Sequence, residues 1–316
     1  TVMEARQFAK EVLHLPVADN FRTYVDIGRP YVVWNVVAAP AYSLAAYEWC
    51  YPVVGCLPYR GYFNKADAEN FADSLRTNGL DVHLYGVSAY STLGWFDDPV
   101  LNTFVHYPES ALVGLIFHEL AHQIVYTASD GDFNEAFATA LEREGIRRWM
   151  LLKGSEEEKS AYDRYRQRED DFYQLISTTR SALLDCYDGR NAYSPDQRQT
   201  CKENAFSEMQ KTYSQVRGTW GDGVHYDRWF EPELNNARFI SAHTYRFFVP
   251  AFDELLRRHG GQLPEYYEAA KKLAALPAGE RRAEMTALRE AANVAISNTS
   301  TPLPGGQKKP SSKSEI

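Results

Sequence analysis

Two histidines four residues apart, with a glutamate after the first, carry the strongest chemical signal: His118-Glu119-Leu120-Ala121-His122. On a helix, positions i and i+4 share one face, a turn apart. Both imidazoles can then meet one zinc ion at about 2.0–2.1 Å. Glu119 is rotated about a hundred degrees from His118, too far round to be an ideal ligand. It falls beside the ion, where a carboxylate can take the proton of an attacking water. The chemistry this pattern points to is metal-assisted peptide hydrolysis, with Glu119 as general base and then general acid. The surrounding run, Ala111 to Tyr126, is apolar nearly all round and predicts a buried helix. Ionisable groups there are costly without partners. A metal would supply them, although ordinary hydrogen bonds could do so too.

A catalytic zinc keeps three protein ligands and one open position. Glu135 lies thirteen residues after His122. A turn at Asp130-Gly131-Asp132 would fold a second helix back and aim Glu135 at the ion. Asp132-x-x-Glu135 is also a capping-box pattern, which explains the glutamate without a metal. Glu142, on the same helical face, is the fallback ligand.

The elements that must hold these groups read as strands first and helices after. Tyr31 to Ala38 is β-branched and aromatic and predicts a buried strand. Short strands follow at Gly61–Phe63, Val82–Val87 and Asn102–Tyr107. Helices are expected at 1–15, from Lys65 to Asn78 before the stop at Gly79, from Pro108 to Tyr126, and from Phe133 to Leu152. Further helices are expected at 156–187, 196–217, 235–259, 264–274 and 278–295. The fold class is therefore α+β: predominantly helical, with a small N-terminal mixed sheet packed against the His118–His122 helix. One domain over 1–295 is expected, an α/β part to about 107 and a helical part after it. The Pro-, Gly-, Ser- and Lys-rich stretch 296–316 reads as a disordered tail.

Composition narrows the partners. Net charge is −8 and there is no long basic block, which argues against nucleic acid. No stretch approaches 18 consecutive apolar residues, so no transmembrane helix is expected. Aromatics reach 14%, with 21 Tyr, enough to line a cleft as well as fill half-buried positions. Cys50 and Cys56, like Cys186 and Cys201, stand at spacings that can close a disulfide, and equally could be buried free thiols.

His118-Glu119-Leu120-Ala121-His122-Gln123 followed by Asn134-Glu135-Ala136-Phe137-Ala138-Thr139 resembles the gluzincin arrangement. More closely, the chain resembles the putative aminopeptidase family of Gram-negative bacteria, predicted lipoprotein metallopeptidases, over roughly residues 1 to 290. The marks include Gly28-Arg29-Pro30-Tyr31-Val32-Val33-Trp34-Asn35, the Cys50 to Cys56 stretch, Tyr90 to Pro99, and Tyr226-Asp227-Arg228-Trp229-Phe230. The resemblance implies a zincin-like fold, a zinc cofactor, a peptide or protein substrate and aminopeptidase activity. It also implies the periplasm, hence a Cys50–Cys56 disulfide, and a lipid anchor on a preceding segment, so that this sequence reads as a mature or trimmed form. It does not reach the Cys186–Cys201 pair. In gluzincins a Tyr or His beyond the third ligand meets the oxyanion, which makes Tyr226 the first choice and Tyr245 the second, with His225 and His243 also eligible. Gln123 and Asn134 are expected to orient the ligands. The stretch Tyr90–Pro99 is expected at the cleft edge. The rival functions are an endopeptidase or cell-wall peptide hydrolase, and a non-catalytic binding protein with a structural metal. An intact Glu119 speaks against the last.

Overall fold

A computed structural model describes residues 1–299, apart from 53–54, 90–91, 93–95, 192, 222–225, 232 and 245. The first third holds α1 (Val2–Glu11), β1 (Tyr24–Val25), β2 (Val33–Pro40), β3 (Trp49–Tyr51), β4 (Gly55–Leu57), β5 (Arg60–Tyr62), α2 (Lys65–Thr77), β6 (Leu80–Val87) and β7 (Val100–Leu101). The helices follow: α3 (Glu109–Ala121), α4 (Gly131–Lys153), α5 (Glu156–Tyr187), α6 (Pro195–Arg217), α7 (Asp227–Phe230), α8 (Asn236–Thr244), α9 (Val249–Arg258), α10 (Leu263–Ala274) and α11 (Ala278–Thr299). The chain is thus mostly helical with small sheets, the expected α+β class.

The apolar run of the central strand is explained by cover on both faces. β2 pairs antiparallel with β5 and β6 in the order β5-β2-β6. Val36 and Ala38 pack with Val82 against Ala68 and Ala72 of α2. Val37 and Ala39 pack against Ala237 and Ile240 of α8. This corrects the expected mixed sheet lying on the histidine helix. The sheet is antiparallel throughout, and its apolar faces go to α2 and α8. The parallel pairing described is the separate two-residue ladder β1–β7. The histidine helix α3 belongs instead to the main helical core, where Phe117 meets Phe8 of α1 and Trp149 of α4.

Three further expectations are changed by local structure. Asn102–Tyr107 is a series of turns. The Asn102 side chain accepts from Ile27 N–H and donates to Arg29 C=O, and the Thr103 hydroxyl donates to Ser88 C=O. Such side-chain bonds compete with a ladder. The helix expected over 235–259 is two, because Pro250 fits only the first turn of a helix and α9 restarts there. The histidine helix is also shorter than expected and stops at His122.

Both cysteine pairs are disulfides. Cys50–Cys56 spans directly opposite positions of the β3–β4 hairpin, as the resemblance implied. Cys186–Cys201, which spacing left open, ties the end of α5 to α6. Among the described residues no helix is long and apolar enough to cross a membrane. Residues 300–316, the expected tail, lie outside those described.

Candidate metal centre and cleft

α3 carries His118 and His122 on one face, with ring centres 5.0 Å apart. The chain must then reverse within a few residues to bring α4 back. Asp130 caps α4 by accepting from Phe133 N–H. Asn134 clamps the connecting loop, donating to Thr127 C=O and accepting from Thr127 N–H, both at 2.8 Å. Ser129, with φ of 62°, offers its hydroxyl oxygen to Cys56 N–H at 3.0 Å. The disulfide hairpin is thereby pinned to the loop. Held this way, Glu135, just past the first turn of α4, faces both histidines. Its carboxylate lies 3.4 Å from Nε2 of His118 and 3.8 Å from Nε2 of His122.

The donor set fits a metal ion. The ligating atoms of His118, His122 and Glu135 all lie within 4.8 Å of one another. Tetrahedral ligands at 2.0–2.1 Å from an ion stand about 3.3 Å apart, close to the spacings seen. The separation at His122 is too long for a hydrogen bond, so the imidazole and the carboxylate face a common point more than each other. Nδ1 of His122 is buried and has no hydrogen-bond partner among the described residues.

Glu142, the fallback ligand by spacing, is placed at the other ring nitrogen of His118. It stands behind His118, 3.1 Å from Nδ1, and leaves Nε2 to face the group. A carboxylate in this place fixes the tautomer and raises ligand basicity. Close approach of the two helices makes it reachable. A Cβ on Gly114 would come within 2.7 Å of Ile146 and 3.1 Å of Glu142, and one on Gly145 within 2.6 Å of Phe117. The sequence signal was a glycine one turn before His118, opposite a glutamate two turns after Glu135. Glu142→Ala is expected to weaken metal affinity by about 10–100-fold without removing the site, as a competition titration against a chelating dye would measure.

The electrostatics agree with a cation at this place. Burial works against a charged His118, yet the Glu135 and Glu142 carboxylates raise its pKa well above the ordinary imidazole value. Burial would raise Glu135, but His118 and His122 bring it below the usual carboxylate range. Burial draws His122 down to about 4 and pushes Glu119 up to about 7, the latter against the pull of His118. The Glu135 and Glu142 carboxylates thus favour positive charge at His118, while His122 favours its neutral, ligating form.

The group opens on a cleft of 1190 Å³. Glu119 lines it beside His118, His122, Glu135 and Glu142. One stripe of α4 and one of α5 form long walls. Val33 and Asn35 of β2 line the cleft as well. Leu57, Tyr59 and Tyr126 line it too, and with Glu135 they also line a second, smaller pocket.

The remaining expected residues are less tightly gathered. Tyr226 is stacked on Phe172, centroids 4.0 Å apart, in an aromatic cluster with Trp220 and Trp229, and burial pushes its hydroxyl up to about 12. It does not line the cleft, whereas Tyr59, Tyr107, Tyr126, Tyr162 and Tyr165 do. Tyr245 and His225 lie outside the described residues, as does the His243 side chain. Asn134 holds the loop rather than a ligand. Gln123 is half-buried in the turn after α3, its N–H donating to Leu120 C=O. Within the stretch 90–99, Asp98 is buried and accepts from Thr92 N–H, and most of the rest lies outside the described residues. The tyrosines of α5 were not singled out in advance. Their mark is the i, i+3 spacing of Tyr162 and Tyr165, which puts both rings on one helical face.

A model of one protein family, described as "Putative aminopeptidase", matches residues 1–285. No curated protein and no solved structure matches the chain.

Proposed function

We propose, from the premise that the chain belongs to the family described as "Putative aminopeptidase", that it is a zinc peptidase removing residues from the free amino end of peptides. In this reading His118, His122 and Glu135 hold the metal, in the gluzincin manner and within a zincin-like packing, and Glu119 is the base. The observation that carries it is the Glu135 carboxylate set between two Nε2 atoms, with Glu119 beside them at the floor of a large cleft. When bound, zinc supplies Lewis acidity toward the scissile carbonyl.

The chain's own groups do the rest. The Glu119 carboxylate accepts a proton as water attacks the carbonyl carbon, then returns it to the departing amine nitrogen. Glu142 holds His118 by Nδ1 and keeps the other ring nitrogen turned to the centre. Asn134 and the Cys50–Cys56 hairpin fix the loop that aims Glu135. Glu135 lines both the main cleft and, with Leu57, Tyr59 and Tyr126, a second pocket of only 60 Å³. Little space on that side of the cut and much on the other suits removal of a terminal residue better than cleavage within a chain. Two disulfides fit an oxidising compartment, and we place the protein in the periplasm, with a lipid anchor on a preceding segment.

A mixed library of peptides with free and acetylated amino ends tests the reading. Zinc-loaded protein is expected to shorten the free peptides one residue at a time, and a chelator to stop it. Equal cleavage of the acetylated peptides would move the assignment to an endopeptidase or cell-wall peptide hydrolase. Binding without cleavage would move it to a non-catalytic metal-containing binding protein.

A further inference from the structure

The cleft is far longer than removal of one residue requires. The face of α4 that lines it runs through Glu135, Glu142, Ile146, Trp149, Met150 and Lys153. At 1.5 Å per residue that stripe is about 27 Å long. α3 runs back alongside, contributing Leu115, Ala111 and Ser110 away from the histidines. α5, which follows α4 directly, adds Glu158, Ala161, Tyr162, Tyr165 and Arg168 from one face. The Tyr162 and Tyr165 rings lie nearly parallel, 6.3 Å between centroids. The volume of 1190 Å³ exceeds the roughly 300–1,000 Å³ of small-molecule pockets.

We propose that this arm of the cleft binds the remainder of an extended oligopeptide, about seven or eight residues beyond the cut at about 3.3 Å each. The protein is thus an enzyme of oligopeptides and unfolded chain ends, not of dipeptides. The groove between α4 and α5 is the recognition surface. Its floor is apolar at Leu115, Ile146 and Met150, and its rim carries both signs, with Glu109 and Glu158 against Lys153 and Arg164. Such a surface reads chain length and apolar side chains rather than net charge. Binding along it, remote from the reacting bond, is energy that can be spent at the metal end. The inference rests on the peptidase reading for its direction of binding, and on the cleft alone for its length.

The test is a length series of neutral peptides with free amino ends, from two to ten residues. kcat/KM is expected to rise by about tenfold or more between three and seven residues and to level off by about nine. In parallel, the zinc-loaded Glu119→Gln protein is titrated with the same peptides by calorimetry, and Kd is expected to tighten over the same range. The double variant Tyr162→Ala/Tyr165→Ala is expected to lower the ratio of octapeptide to tripeptide kcat/KM several-fold. Length-dependent binding to the Glu119→Gln protein supports the groove even if no peptide is cut, in which case the peptidase reading fails and this one stands. Dipeptides cut as well as octapeptides, or a Kd flat across the series, would overturn it and leave the peptidase reading intact.

Discussion

Glu119→Gln is expected to leave the fold and the bound zinc unchanged while peptide hydrolysis falls by about 10²–10⁴-fold, the range for loss of a positioned proton-transfer group. The substitution keeps the side chain's shape and its place beside His118 on α3. It removes the one property the reaction needs there, a carboxylate that accepts a proton from water and passes it on. Glu119 is neither of the two histidines nor the carboxylate that faces them, so the metal should not notice the change. The measurement is a rate on a peptide the unmodified protein cuts, with zinc content taken on the same sample. An unchanged rate in the Gln protein would remove Glu119 from the chemistry. A large loss of zinc would make it a ligand instead.

Glu135→Gln is expected to act in the opposite way. Zinc affinity should fall by more than about 100-fold, beyond what loss of an outer partner such as Glu142 costs. The metal-free protein should melt nearly where the unmodified one does. This separation is possible because Glu135 does no capping. Spacing alone allowed an Asp132–Glu135 capping box, but α4 begins at Gly131 and its cap is Asp130, through Phe133 N–H. Zinc stabilises whichever state binds it, by RT ln(1 + [L]/Kd). Added zinc should therefore raise the melting temperature of the unmodified protein and barely move that of the variant. Equal zinc-induced shifts in the two would return Glu135 to a structural role.

The grouping of His118, His122 and Glu135 was legible in the sequence because its geometry is local. Four residues on a helix fix where His118 and His122 stand, and a short turn followed by a helix can return Glu135. The stop of α2 was legible at Gly79, whose φ of 79° suits glycine. What composition could not show was competition decided elsewhere. Asn102–Tyr107 has strand-like residues, but partners at Ile27, Arg29 and Ser88 hold it as turns. Pro250 was a plain signal in the 235–259 run and should have divided it. The partnership of Glu142 with His118 depends on how closely α3 and α4 approach, which Gly114 and Gly145 permit. The α5 wall depends on tertiary placement of a helix that, read alone, is only amphipathic. The place of Tyr226 was not legible either: its ring stacks on Phe172, and other tyrosines line the cleft.

The central claim is that His118, His122 and Glu135 together hold one metal ion. It is tested most directly by elemental analysis of protein stripped with chelator, reloaded with zinc and freed of excess, for the unmodified chain and for His122→Ala. The expected result is about one zinc per chain in the first and almost none in the second, since two remaining ligands do not complete a three-ligand site. Absence of zinc from the unmodified protein, or full occupancy in His122→Ala, would contradict it.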